Sequence, residues 1–267
     1  MSPAQLSYPE DQDIGIPGQL ADSGPKDVIS RLAEDSQIRF GRIVVLGTDK
    51  DTQAKLPALS GDITDPKKVL GATLHSHARE SLKDEAQTAY KQGESVSILK
   101  DGRILMEVEQ AMTPESDIYV RFAGKKQVQT ILWDADFITG NVVDGKVNGT
   151  AIASVPFNTD QATTLSDVAN AIVAANSDVE SASVTGAREI TVTSIIDKTV
   201  TLSDFVVTGG ASQASETVTE TVAGVLTADR GKIRADDDGS TAAQLSNAKI
   251  RKSASGAGEI AVLEIDL

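Results

Sequence analysis

The chain has 267 residues, of which 40% are hydrophobic, so it can build one large core or two modest ones. Its net charge of −14 argues against direct DNA or RNA binding, because a nucleic-acid surface needs clustered Lys and Arg. One Trp, three Tyr and five Phe are too few for stacking platforms, and no stretch approaches the roughly 20 apolar residues that span a membrane. The absence of cysteine excludes disulfides and thiolate metal sites.

Residues 1–25 predict an extended N-terminal arm. Proline removes a backbone donor and fixes φ, and four of the eight prolines lie here: Pro3, Pro9, Pro17 and Pro25. No Lys or Arg occurs in these 25 residues and no apolar run has signal-peptide length, so we expect neither a secretory leader nor a basic nucleic-acid arm. A disordered terminus is the alternative interpretation.

Residues 26–125 predict a β-rich body. Its first element, over 27–33, is predicted as one or two helical turns with Ser23 as the N-cap. Short β-branched runs bounded by Gly, Pro or Asp then predict strands in RFGRIVVLGT, KVLGATLH, SVSILK, RILMEV and DIYVRFAG. Between two of these runs stands Asp101-Gly102, which favours a type I′ hairpin turn.

Residues 126–224 differ in composition from the rest. They hold four Lys or Arg and twelve Asp or Glu, so they carry 4 − 12 = −8 of the total charge of −14. Alternating runs predict strands, and one segment, 163–176, has apolar residues at helical spacing. Thr164 and Asp167 resemble a capping box at its start, and Asn176 is the expected stop.

The C-terminal EIAVLEIDL alternates sharply and predicts a final strand. Because such a strand usually closes a sheet begun earlier, we expect 225–267 to return to the first body. The predicted fold is therefore mainly β, with a barrel-like or sandwich body formed by 26–125 plus 225–267. A small α+β domain of 126–224, with one helix packed on a sheet, is predicted to be inserted into it.

Few residues suggest chemistry. His75 and His77 would project from one face of a strand and could supply two metal ligands, but no third His or Cys exists, so we expect no metal or cofactor. The stretch from Asp236 to Gly239 fails the EF-hand spacing and indicates a solvated loop. No nucleophile, base and stabiliser can be assembled, so we expect no enzymatic activity.

Six segments, in chain order, resemble the structural cement proteins that decorate the capsids of tailed bacteriophages. They are GQLADSGPKDVISR, RFGRIVVLGT, GATLHSHARE, GESVSILKDGRILMEVE, DIYVRFAG and AVLEIDL. The resemblance spans roughly residues 15–125 and 225–267 and leaves out the 126–224 module. It implies a protein made in the host cytoplasm that sits on the outer surface of the virion capsid, as homotrimers bridging major capsid protein subunits.

The same resemblance suggests where contact with the capsid falls. The expected contact residues lie in the segment around residues 20–31 and in the 71–80 segment: Leu20, Asp22, Pro25, Arg31, His75 and His77. Two rival functions remain open, a tail or baseplate subunit and a glycan-binding adhesin in 126–224. The lone Trp133 lies in an alternating strand where core burial is expected, which makes it a poor stacking surface for sugars.

Overall fold

A computed structural model describes residues 15–76 and 89–267, so His77 lies outside the described residues. The chain divides into two compact units. Unit 1 comprises the described residues up to Ala123 together with Asp229–Leu267, and unit 2 comprises Gly124–Ala228. A closed five-stranded barrel in unit 1 and a helix packed on a sheet in unit 2 confirm the predicted mainly β fold class.

The elements follow one another as short strands with a single long helix among the described residues. In chain order they are β1 (Asp27–Ala33), β2 (Gln37–Arg39), β3 (Ile43–Leu46), β4 (Gln53–Lys55), α1 (Ser60–Ile63), β5 (Val69–Thr73), β6 (Ala89–Lys91), β7 (Ser95–Glu107), β8 (Tyr119–Arg121), β9 (Val128–Trp133), β10 (Asn141–Val147), β11 (Thr150–Ala151), β12 (Val155–Pro156), α2 (Gln161–Ala175), β13 (Val179–Gly186), β14 (Glu189–Ser194), β15 (Leu202–Gly209), β16 (Glu216–Val222), β17 (Ile233–Arg234), β18 (Ala242–Gln244), β19 (Ala248–Lys252) and β20 (Ile260–Asp266).

The barrel of unit 1 has the strand order β1-β4-β3-β5-β7 and closes because β7 pairs back with β1. The β1–β4 pair is parallel and the other four pairs are antiparallel. Closure leaves these strands without free edges over their paired lengths. Apolar side chains fill one cluster of this region, among them Ile38, Val44, Tyr90, Val96 and Ile98.

The helical turns predicted over 27–33 are wrong, because these residues form β1. They pair with β7 in continuous register from Val28 opposite Leu99 to Leu32 opposite Ser95. A helix of two turns is marginal in isolation, whereas the strand gains a full ladder of hydrogen bonds from residues far away in the sequence.

The hairpin predicted at Asp101-Gly102 is also wrong, since β7 runs through it from Ser95 to Glu107. The register against β1 shifts at this point, and Gly102 has a φ of +132°, a conformation that favours glycine. The pair therefore marks a β-bulge at which β7 leaves the barrel. Beyond it, β7 pairs with β20 instead.

The terminal strand predicted over 259–267 is confirmed as β20, which pairs antiparallel with β7 and β19. It contributes to a second apolar cluster that includes Ile104, Met106, Val120, Leu263 and Ile265. Strands β17, β8 and β18 form a small sheet that supplies other members of this cluster. The first and last parts of the sequence of unit 1 thus share one core.

Unit 2 pairs its strands in two antiparallel groups. One has the order β13-β14-β9-β16, and the other contains β10 with β11, β12 and β15. Trp133 is 1% exposed and packs edge-to-face on Phe137 with ring centroids 5.3 Å apart, so the burial predicted for it is confirmed.

The helix predicted over 163–176 is confirmed as α2, and Asn176 is its C-cap as expected. Its apolar stripe, which includes Leu165, Val168 and Ile172, lies in the core of unit 2. The predicted capping box is wrong. The N-cap is Asp160, whose side chain accepts a hydrogen bond from the Thr163 N–H at 2.8 Å, because the helix starts four residues earlier than a cap at Thr164 allows.

Candidate interaction surface

The residues Gly18–Ala21, here called the arm segment, lie along β7 as an added strand. The Gly18 N–H donates to the Leu105 carbonyl at 2.8 Å, the Leu105 N–H donates to the Gln19 carbonyl at 2.8 Å, and the Ala21 N–H donates to the Arg103 carbonyl at 3.0 Å. Leu20 lies opposite Ile104 and is half-buried against the second apolar cluster. Backbone hydrogen bonds therefore fix the chain to β7 from Gly18 onward.

The arm segment also contacts the predicted 71–80 segment. The His75 N–H donates to the Gly18 carbonyl at 2.7 Å, and the half-buried His75 ring packs edge-to-face on Phe40 with centroids 4.8 Å apart. Gly18 has a φ of +84°, and a Cβ there would come within 2.8 Å of the His75 nitrogen and of Phe40 Cβ. The structure thus brings His75 and the arm segment together, as parts of one surface.

Asp22 begins a line of alternating charges across the sheet, here called the charge ladder. Arg103 pairs with Asp22 at 3.0 Å and with Glu264 at 2.7 Å, and Arg251 pairs with Glu264 at 2.5 Å. Hydrogen bonds from Arg251 and Arg103 lower the pKa of Glu264 to about 2, and those from Glu264 and Asp22 raise the pKa of Arg103. The ladder ties the arm to β7, β20 and β19.

Pro25 and Arg31 occupy different surroundings. Pro25 is exposed and lines a shallow depression of about 280 Å³ together with Asp22 and Arg103. Arg31 lies in β1 opposite Val96 and is half-buried. Its Nη1 donates to the Ser30 carbonyl at 3.0 Å, while its buried Nε lacks a hydrogen-bond partner. Arg31 is therefore less available to another molecule than Asp22 or Pro25.

Asp236, Asp237 and Gly239 are exposed, as expected of a solvated loop, and two buried arginines hold the stretch. Arg121, whose side chain is 0% exposed, pairs with Glu109 at 2.6 Å and with Asp238 at 2.7 Å. Arg234 pairs with Glu109 at 2.9 Å and with Asp236 at 2.7 Å. Sequence reasoning missed this arginine cluster because its members are up to 129 positions apart and no local pattern joins them.

The described residues, 15–76 and 89–267, contain no group of three or more His, Cys, Asp or Glu that could hold a metal ion. Within the same ranges no helix is long and apolar enough to cross a membrane. The carboxylates beside Asp238 are occupied by arginines, and Trp133 is buried, so neither offers an open binding site.

The family described as structural cement protein (E217 gp24/Pam3 gp6) matches residues 4–169, which is more than half of the chain. No curated protein matches the chain. A solved structure from Mycobacterium phage Patience covers 89% of this chain and 90% of its own, at 16% identity and a TM-score of 0.40.

The chain belongs to the structural cement protein family of bacteriophages. It is a phage structural protein that associates with a capsid. The family match continues through 126–169, which the sequence interpretation had left outside the resemblance, and it ends before 225–267, which that interpretation had included.

Proposed function

We propose that this chain is a non-enzymatic protein that coats the outer surface of a phage head. Homotrimers of it bridge neighbouring major capsid protein subunits and stabilise the shell. The observation that carries the proposal is the family match over residues 4–169, joined to an arm that is anchored on the body by Gly18–Ala21. Many modest contacts repeated over a lattice add up to a large resistance against rupture.

The anchored arm supports a bridging role. Because backbone hydrogen bonds fix the arm segment on β7, the residues that precede it start from a defined place, and less freedom is lost when they bind a neighbour. An extended segment with unpaired backbone groups can add a strand to another sheet or lie across its surface. We assign capsid contact to Leu20, Asp22, Pro25, Arg31, His75 and His77.

Charge supports the outward position. The chain carries a net charge of −14, and unit 2 holds half of it, since its five Lys or Arg and twelve Asp or Glu give 5 − 12 = −7. Acidic outer faces keep many clustered copies soluble and repel nucleic acid. Unit 2 is proposed to face away from the shell, as a spacer or as a contact to the host.

An add-back experiment tests the proposal. Purified protein is mixed with emptied heads that lack it, binding is measured by co-sedimentation, and electron microscopy locates the bound copies. We expect saturable binding on the outside of the head. A chain that binds tails or baseplates and leaves heads bare would contradict the proposal.

Two truncations identify which part binds. Deleting residues 1–14 removes the part of the arm that precedes the arm segment, and we expect binding to heads to weaken at least about tenfold. The matched control replaces Lys126–Gly224 with a two-residue turn. Lys125 and Val225 exchange both backbone hydrogen bonds at 2.8 Å, so a turn can join them, and we expect binding close to that of the full chain. The opposite pattern would place the capsid contact in unit 2.

A further inference from the structure

The sheet of unit 2 with the order β13-β14-β9-β16 leaves one side of β13 unpaired. β13 pairs with β14, in continuous register from Ser181 opposite Thr193 to Val184 opposite Ile190. Two of these four residues direct their N–H and C=O towards β14, and the other two direct theirs away from it. Within the described ranges no group outside β14 hydrogen-bonds to the backbone of 181–185. β13 is therefore an edge strand with free donors and acceptors.

The free side of β13 lacks the side chains that usually protect an edge strand. Charged residues, above all lysine, and proline discourage pairing with another strand. Residues 181–187 read SASVTGA and contain none of these, although unit 2 has a net charge of −7. The outer strand on the other side of the sheet, β16, carries Glu216 and Glu220 instead. A neutral, uncovered edge in an acidic unit marks a surface that another strand can join.

The side chains of β13 alternate between the two faces of the sheet. Ala182 packs with the core cluster of unit 2, so Val184 lies on the same face and Ser183 on the opposite one. Val184 is 38% exposed, although Ile190 and Ile131, which continue its row across the sheet, are fully buried. Val184 is left partly uncovered because no strand lies beyond β13.

We propose that two copies of this chain pair through their β13 strands, antiparallel about a twofold axis at Ser183. Each copy contributes the same surface, and the two sheets continue as one. Side chains that lie directly opposite each other in an antiparallel pair share a face. This register therefore places Ala182 opposite Val184 of the second copy, and it covers the exposed side chain of Val184 twice, once in each copy.

Charges at the two ends of β13 favour a second copy as the partner. At one end Lys126 pairs with Glu180 at 2.5 Å, and at the other the turn to β14 carries Arg188, Glu189 and the nearby Asp136. The antiparallel register brings these two ends together, with Glu180 facing Arg188 and Lys126 facing Glu189. The existing pairs are well exposed and therefore weak, so their members are available to the second copy.

The pairing goes beyond the proposed function. It lies in unit 2, and none of its residues is among those assigned to capsid contact. Such a short strand pair buries less than the roughly 1,000 Å² of a stable interface, so we expect a weak association in solution. On a shell it joins copies of neighbouring trimers, whose high local concentration strengthens a weak contact. Purified protein without heads suffices for the test, so failure of the pairing leaves the head-binding result unchanged.

A single cysteine on the twofold axis tests the pairing directly, because the natural chain has no cysteine. Ser183→Cys places its thiol opposite the same thiol of the second copy. The expected Cα separation of about 4.5–5.5 Å suits a disulfide. We expect mild oxidation of the concentrated, purified variant to give covalent dimers, seen as one band of doubled mass on a non-reducing gel.

Two control variants test the edge and the register. Thr219→Cys places an exposed thiol on β16, at the other side of the same sheet, and should stay uncrosslinked. Ser181→Cys lies opposite Thr185 of the second copy, so the two cysteines would be roughly 14 Å apart and should crosslink far less than those at 183. Equal crosslinking of the three variants, or no covalent dimer from Ser183→Cys, would overturn the proposal.

Charge exchange at the same position provides a second measurement. Ser183→Lys and Ser183→Glu each place two like charges across the axis, and we expect either variant alone to self-associate about fivefold more weakly than the natural chain. An equal mixture of the two should regain association, because a lysine then faces a glutamate. Sedimentation velocity at low salt measures each sample, with Thr219→Lys as the control that should match the natural chain. A mixture as weak as its components, or natural-chain association that no change at 183 alters, would contradict the pairing.

Discussion

The two units bury different kinds of polar group. In unit 1 the buried polar residues include the charged side chains Arg42, Asp62, Arg121 and Arg234. In unit 2 the buried polar residues found among the described positions are neutral: Gln127, Asn141, Thr164 and Ser194. Unit 1 therefore depends on ionic pairing inside its core, and unit 2 depends on apolar packing and neutral hydrogen bonds.

This difference predicts which changes will destabilise each unit. A buried charge that loses its partner is costly, because it cannot be resolvated without opening the structure. Losing one partner of a neutral hydrogen bond costs less free energy than leaving a buried charge unpaired, and neutral hydrogen bonds hardly respond to pH. Unit 1 should be sensitive to single charge removals and to acid, and unit 2 should be sensitive mainly to cavities in its core.

Arg121→Met is the substitution expected to destabilise unit 1 most. The substitution removes the fully buried one of the two arginines that pair with Glu109 and Asp238, and we expect the free energy of unfolding to fall by roughly 3–5 kcal/mol. The control Arg188→Met removes a pair with Asp136 in unit 2, where both side chains are well exposed, and should cost about 0–1 kcal/mol. Urea unfolding measures both, and similar losses would remove the contrast between the units.

Leu165→Ala is the corresponding test of unit 2. Leu165 is 0% exposed on α2, so its truncation should leave a cavity and cost about 3 kcal/mol. Val173→Ala on the same helix is the control, since Val173 is 38% exposed and should cost far less. Fluorescence of Trp133 reports unfolding of unit 2, and equal effects of the two variants would contradict the assigned core.

Low pH should affect the stability of the two units differently. The pKa of Glu264 is lowered from 4.5 to about 2, so its contribution to stability is complete above pH 4.5 and is lost as the pH falls towards 2. Burial would raise the pKa of Asp236, but hydrogen bonds from Gln110 and Arg234 outweigh it and lower that pKa. The contribution of Asp236 to stability is therefore also lost as the pH falls. In unit 2, the backbone hydrogen bond from Thr163 lowers the pKa of Asp160.

We therefore expect peptides of unit 1 to lose amide-exchange protection at a higher pH than peptides of unit 2 during acidification from pH 5 to pH 2. Glu264→Gln removes the titrating group and should flatten the response of the β19–β20 region. Simultaneous loss of protection in both units would show that the ionic pairs of unit 1 do not govern its acid stability.

The smallest expected loss of stability concerns the N-terminus of α2, where the structure and the sequence pattern favour different capping residues. Asp160→Ala removes the side chain that accepts from Thr163 and should cost about 1 kcal/mol. Asp167→Ala removes the residue that the sequence pattern favoured as part of a cap. Within the described part of the chain Asp167 accepts only from the Asn158 side chain, at 2.9 Å, and its removal should cost less. The reverse order in thermal unfolding would restore the predicted capping box.

Local patterns predicted those elements whose side-chain period is determined by one buried face. The stripe of α2 and the alternation of β20 are examples, because burial on one side dictates each period. The same reasoning placed Trp133 in the core. Local patterns also predicted the mainly β fold class, because many short β-branched runs bounded by turn residues are typical of β-strands.

Long-range pairing explains what could not be predicted. β1 is a strand because β7 lies beside it, and Asp101-Gly102 is a bulge because β7 changes partners there. Arg121 and Asp238 are 117 positions apart, so their pair has no signature in the sequence. Of the candidate site residues, Leu20, Asp22 and His75 fall on one connected surface, but their role in binding depends on a partner outside the chain.

The central claim is that this protein reinforces a shell. The most direct test heats DNA-filled heads that carry the protein and heads that lack it, and records the temperature at which DNA is released, with electron microscopy of both samples. We predict that decorated heads retain DNA to a higher temperature and that adding purified protein back restores the difference. Release at the same temperature, with the protein visibly bound, would contradict the account.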